Sequence, residues 1–180
     1  NGLTISLDNK GMARLYATDF DEGSHDNCSA IDLAIKSNGC VTGDFAEFAD
    51  FSCCDLGEVR VELLVTDAGG NTNTCWADIL IEDPVAPTIE CSSDVTITCN
   101  DVQLADELFS APDANDACGV SIEAGDIVTI DLPNCGQLLT RTYTASDASV
   151  KSNDETCTQS VTVMHVSDFI VQFPADEIFT

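Results

Sequence analysis

Basic side chains are scarce in this sequence. Six Lys and Arg stand against 32 Asp and Glu, a formal net charge of −26. Charge of that sign repels phosphate backbones and anionic lipid surfaces, which argues against nucleic acid and direct membrane insertion as modes of action. Aromatic residues make up 6%, with Trp76 the single tryptophan, so no stripe of stacking rings is available. On its strand Trp76 falls on the face opposite Ala77 and Ile79. A ring packed under a loop or against a neighbouring module is favoured over a sugar platform, because binding patches are usually larger. The two histidines, His25 and His165, lie far apart, and no Gly-x-Ser-x-Gly elbow or phosphate-cradling glycine loop occurs. Acidic pairs are too plentiful here to mark a glycosidase. A non-catalytic protein is therefore expected. No apolar run approaches the roughly 18 residues of a membrane span, and no basic-then-apolar leader is visible. Such signals can be removed or lie outside this stretch.

What the chain does have is apolar content and cysteine. At 44% apolar, its 180 residues can build one large core or two small ones. Ten cysteines spread from Cys28 to Cys157 are dense enough to suggest an oxidising, extracellular compartment. Zinc is the alternative. Close pairs of the Cys-x2-Cys kind are missing, so disulfides are favoured.

The dominant pattern has period two. Val59, Val61, Leu63 and Val65 alternate with Glu58, Arg60, Glu62 and Leu64. Ile79 and Ile81, then Val161 and Val163, repeat the pattern. Bounded by Gly, Asn, Asp and Pro, these read as half-buried antiparallel strands. Only Asp101–Leu108 offers a passable helical turn. The inward residues expected are Val59, Val61, Leu63, Val65, Ile79 and Ile81 in one core, and Leu139, Tyr143, Val161 and Val163 in another.

The pattern also recurs. Glu58–Thr66, the turn Asp67-Ala68-Gly69-Gly70-Asn71 and Cys75 are answered by Gln137–Ser146, Asp147-Ala148 and Cys157. The Asp-to-Cys spacing is 8 in the first and 10 in the second, and Asp26-Asn27-Cys28 is answered by Asp116-Ala117-Cys118. Such self-similarity means one supersecondary design laid end to end. Pro84 and Pro87 stiffen a linker between the copies. The expected modules are 1–83 and 84–167, with 168–180 the first strand of a following one, so the chain reads as part of a longer array.

The motifs, taken in order, resemble a known family. Pro87-Thr88-Ile89-Glu90-Cys91-Ser92-Ser93-Asp94 is similar to the opening strand of hyalin-repeat (HYR-like) modules. Arg141-Thr142-Tyr143-Thr144-Ala145-Ser146-Asp147 resembles their Arg-Thr-Trp-Thr-Ala-Thr-Asp strand. Gly23-Ser24-His25-Asp26-Asn27-Cys28, Phe51-Ser52-Cys53-Cys54-Asp55-Leu56-Gly57 and Val65-Thr66-Asp67-Ala68-Gly69-Gly70-Asn71 resemble signatures of related modules in large secreted bacterial surface proteins. Ser92 stands where a proline is usual, and Ala148-Ser149-Val150 replaces a Gly-Asn turn. The resemblance implies an all-β fold of tandem immunoglobulin-like β-sandwich modules. It also implies a part in adhesion or in extending a surface structure. By the same signatures Cys28 is expected to pair with Cys53, Cys118 with Cys135, and Cys91 with Cys157. Cys40 with Cys54 is a further guess, and Cys75 and Cys99 are left over.

In such a sandwich the Asp-rich loops gather at one end. Asp19, Asp21, Asp26 and Asp67 form one group, and Asp113, Asp116 and Asp147 form the other, with Asp83 approaching the second. Oxygen ligands of this kind suit Ca²⁺. Asp and Asn are also good turn formers, which accounts for them without an ion. The reading reached is a structural or adhesive repeat of an extracellular cell-surface protein. Its partners would be neighbouring modules, other copies of itself, or a surface glycan or protein. A self-assembling appendage subunit and a non-catalytic accessory module of a secreted hydrolase are the alternatives.

Overall fold

The computed structural model describes residues 2–99, 105–149 and 153–165. The expected third-module strand at 168–180 and the first half of the Asp101–Leu108 turn lie outside them; Ala105–Leu108 is a 3-10 turn. Thirteen strands dominate the described residues. The chain divides into two compact units. The first comprises Asn1–Glu90, Asp113–Glu123 and Thr144–Thr156, and the second Cys91–Pro112, Ala124–Tyr143 and Cys157–Thr180.

In the first unit, β1 (Thr4–Ser6), β6 (Thr72–Glu82), β5 (Gly57–Asp67) and β3 (Ile31–Ser37) form one sheet in the order β1-β6-β5-β3. A ribbon of β2 (Met12–Tyr16) and β4 (Phe48–Ser52) faces it. Alternation decides what lies between them. Val59, Val61 and Leu63 of β5 and Ile79 and Ile81 of β6 meet Leu15, Ala49 and Phe51 of the ribbon, with Ile35 from β3. Val61, Ile35 and Ile81 are fully buried, and Val65 packs partly buried at the margin. Each such aliphatic side chain contributes roughly 1.5–3 kcal/mol by leaving water. The β5–β6 hairpin is antiparallel with Val61 opposite Ala77. β1 instead runs parallel to β6, with Ile5 opposite Ile81.

The second repeat reproduces the scheme. Strands β12 (Gln137–Asp147) and β13 (Asp154–Met164) have the same length as β5 and β6, 11 residues each. Sheet order is β10-β12-β13-β8, where β10 is Val120–Ala124 and β8 is Val95–Thr98; β11 (Val128–Asp131) also pairs with β12. β8 runs parallel to β13, with Ile97 opposite Val163, as Ile5 stands to Ile81. Leu139, Tyr143, Val161 and Val163 point inward as the alternation requires. Gln159 is buried with them and satisfied on both ends: its Oε1 accepts from the Ser110 amide at 3.3 Å and its Nε2 donates to Ser93 O at 3.5 Å. The fold is thus all-β, built of immunoglobulin-like sandwich units.

Three disulfides brace it: Cys40–Cys54, Cys53–Cys118 and Cys91–Cys157. Two of the expected pairings are replaced, since Cys53 joins Cys118 rather than Cys28, and Cys135 is left unbridged. Local geometry gives the reason. The 3-10 turn Cys53–Asp55 sets Cys53 Sγ against Gly11, where a Cβ would collide with it, and near the Ala117 carbonyl at 3.4 Å. Cys28 is exposed in a loop whose turn is fixed by Asp26, and Cys135 is exposed at φ +60° in the turn Pro133–Cys135.

Candidate cation site

The aspartates of the first loop group are occupied by their own turns. Asp21 accepts the Gly23 and Ser24 amides, and Asp26 accepts those of Cys28 and Ser29 together with the Ser29 hydroxyl. Asp67 accepts from Gly69 and Asn71 amides at 2.8 and 2.9 Å, and the Asn71 side-chain amide donates to its other oxygen at 2.7 Å. These hydrogen bonds favour the ionised form, so all three carboxyls lie below the usual 3.8. The Ser24 side chain acts first on Asp21, the Cys28 amide on Asp26 and the Asn71 side chain on Asp67. Asp19 is exposed on the single helical turn Ala17–Phe20. Asp19 and Asp21 border a groove of about 740 Å³ that also takes in Trp76. Trp76 is 60% exposed rather than packed under a loop, and the Arg60 guanidinium lies 3.7 Å above its ring. Arg60 is held there by two bonds to Asp78, at 2.8 and 2.9 Å.

In the second group Asp116 also serves its own turn, its Oδ1 accepting the Cys118 amide at 2.7 Å, but Asp83 behaves differently; all members of the group belong to the first compact unit. β6 ends at Glu82, and Asp83 follows just before Pro84, a position that favours extended backbone. β7 (Thr88–Glu90) then pairs with β9 (Asp113–Asn115), with Thr88 opposite Asn115, and the next residue is Asp116. Asp83 and Asp116 each offer a carboxylate oxygen within 4.8 Å of the other, and Cys118 Sγ lies within the same distance. Asp113 does not join them; it is exposed on β9 opposite Glu90.

Asp83 is 3% exposed. Its Oδ1 accepts the Val85 amide at 3.0 Å, while its Oδ2 is buried without a hydrogen-bond partner among the described residues. Buried carboxylate oxygens are ordinarily satisfied, because removing charge from water costs several kcal/mol. A second carboxylate adds to that cost.

Asn153 fixes the rest of the arrangement. Its side-chain amide donates to Asp83 O at 3.0 Å and to Asp147 Oδ2 at 2.9 Å. Asp147 Oδ1 takes the Ser149 hydroxyl and the amides of Ser149 and Asn153. Burial pushes the Asp147 carboxyl up, but the bonds from Ser149 and Asn153 outweigh it and hold it below 3.8. Asn153 therefore does for Asp147 what Asn71 does for Asp67, and ties it to Asp83 as well. Sequence reasoning missed it because the second turn is two residues longer. The other group of potential metal ligands among the described residues is Cys40, Cys54 and Asp55. It is closed off by the disulfide and by bonds from Cys40 and Ser52 to the Asp55 carboxylate.

No protein-family model matches the chain, and no curated protein matches it in sequence. Among solved structures, Drosophila N-cadherin EC1–4 is similar with a TM-score of 0.35 and 13% identity, over 76% of this chain and 42% of that one. Mouse clustered PcdhgC3 EC1–3 gives 0.35 and 12%, over 91% and 66%. The fibronectin(III)-like modules of Clostridium thermocellum CbhA give 0.31 and 9%, over 97% and 95%. The chain spans less than two thirds of the length of the first two. Its functional reading is drawn from its own residues.

Proposed function

We propose that the chain is a run of non-catalytic, hyalin-repeat-like modules from an extracellular cell-surface protein, serving to space or present a binding tip, with Ca²⁺ as its cofactor. The modules are those expected at 1–83 and 84–167. The observation that supports this reading is how each first strand is tied to a last strand. Where β1 lies parallel to β6, a pull on the chain from both ends shears the ladder, so its hydrogen bonds share the load. The β8–β13 pair repeats the arrangement, and there Cys91–Cys157 adds a covalent tie beside it. Bridges of this kind persist in oxidising surroundings. The acidic surface keeps such an array soluble. Antibodies against the chain should label intact, unpermeabilised source cells, and deleting the gene should weaken their attachment. Labelling that needs permeabilisation would overturn the reading.

Self-association is supported by one feature of its own. β11 leaves Val128 and Ile130 56% and 51% exposed on a strand that pairs with β12. Exposed apolar edges invite pairing with another chain. Light scattering that finds oligomers, dispersed by Ile130→Lys, would favour the appendage reading over the spacer.

A further inference from the structure

We propose that Asp83 and Asp116 bind one Ca²⁺ ion within the first compact unit, with Asn153 and Asp147 as positioning residues. This deepens the reading above by naming ligands, and rests on it for an oxidising, calcium-containing setting. The orphaned Asp83 Oδ2 carries the argument: it belongs to a side chain more than nine-tenths buried and has no hydrogen-bond partner among the described residues, which is the situation a bound cation would relieve. Arg14, Lys36 and Arg60 are paired with Asp50, Glu62 and Asp78. Separation fits the ion. Ca²⁺–oxygen distances of about 2.3–2.6 Å place two ligands of one ion up to about 5 Å apart, and the carboxylate oxygens here lie within 4.8 Å.

The third member of the cluster selects against softer metals. Cys118 Sγ is bonded to Cys53, so it presents no thiolate, and zinc and copper lose the ligand they would prefer. Hard oxygens remain, and water can complete the shell on the side of the half-buried Asp116. Asn153 holds the Asp83 backbone from behind through its carbonyl, and Asp147 holds Asn153. With two protein carboxylates the site belongs among weak extracellular ones, with Kd of about 0.1–1 mM.

The test is calorimetric titration of CaCl2 into the oxidised 180-residue chain, stripped with chelator, in 0.5 M NaCl to screen surface charge. One site with a Kd of about 0.1–1 mM is expected. At 10 mM Ca²⁺ the melting temperature should rise by roughly 3–6 °C over EGTA. Asp83→Asn should abolish both responses yet melt in EGTA at or above the unsubstituted chain, because the unpaired charge is gone. Asp67→Asn, whose carboxylate serves its own turn, should keep the Ca²⁺ response. Absence of binding at 10 mM, binding that survives Asp83→Asn, or Asp83-dependent Zn²⁺ binding tighter than Ca²⁺ would overturn the assignment. So would an Asp83→Asn chain that melts below the parent in EGTA, which would mark a purely structural cap. Cell-surface labelling is independent of all four outcomes, so loss of the ion site and loss of the module reading are told apart.

Discussion

Cutting the Cys91–Cys157 tie should lengthen the chain under tension by an amount fixed by its sequence. The two cysteines are 66 positions apart, with their Cα atoms at 5.7 Å. While the bridge is closed, a pull on the termini passes across Cys53–Cys118, back along the chain to Cys91 and across to Cys157, which leaves residues 119–156 slack. With the bridge open the load runs instead from Cys118 to Cys157, 39 positions in place of the 27 between Cys91 and Cys118, so at about 3.4 Å per residue opening it releases about 40 Å of contour. The perturbation is the double substitution Cys91→Ser with Cys157→Ser, which leaves no stray thiol at the site. The assay is force–extension measurement on single chains held by both ends in non-reducing buffer. In bulk, closing a loop of this length restricts the unfolded chain by roughly 4 kcal/mol, so the double variant should also melt lower. Equal unfolded contour lengths in the two proteins would refute the covalent load path, whatever the change in melting temperature.

Three further outcomes follow from named residues. Val61→Asp places an unpaired charge at a fully buried position between the sheets of the first unit; its melting transition should disappear while that of the second unit, read by calorimetry, remains. The Asp147 carboxyl lies below 3.8, so the stabilisation it gives is full above that value and is lost as pH falls through the lower folded value. Asp147→Ala should lower the melting temperature at pH 7 and flatten its fall below about pH 4. Gly11 sits at φ +69° with its Cα hydrogen facing Cys53 Sγ. Gly11→Ala should hinder closure of Cys53–Cys118, seen as two additional reactive thiols in the native protein.

The core was legible because it rests on a local rule. Side chains alternate across a strand, so Val59, Val61 and Leu63 had to share a face whatever sheet received them. Even Val65, which ends partly buried, follows the rule and departs only where β5 runs out toward its turn. Cysteine pairing obeys no such rule. It depends on which loops approach, and the decisive contact here is made by a residue with no side chain, Gly11, with the 3-10 turn at Cys53. The proposed ion site was half legible. Asp83 and Asp116 stood out as acidic residues beside a proline linker and a recurrent Asp-x-Cys. Asp113 seemed equivalent to them, but strand pairing of β9 with β7 places it opposite Glu90. Asn153 was hidden by spacing: it follows Asp147 by six positions, whereas Asn71 follows Asp67 by four, yet each donates its side-chain amide to its aspartate.

Peptide mapping without reduction tests the central claim most directly. Protein purified from its source under alkylating conditions should yield Cys40–Cys54, Cys53–Cys118 and Cys91–Cys157 as linked peptides, as expected of sandwich modules braced for life outside the cell. Recovery of all ten cysteines as alkylated thiols would contradict the extracellular, disulfide-braced account.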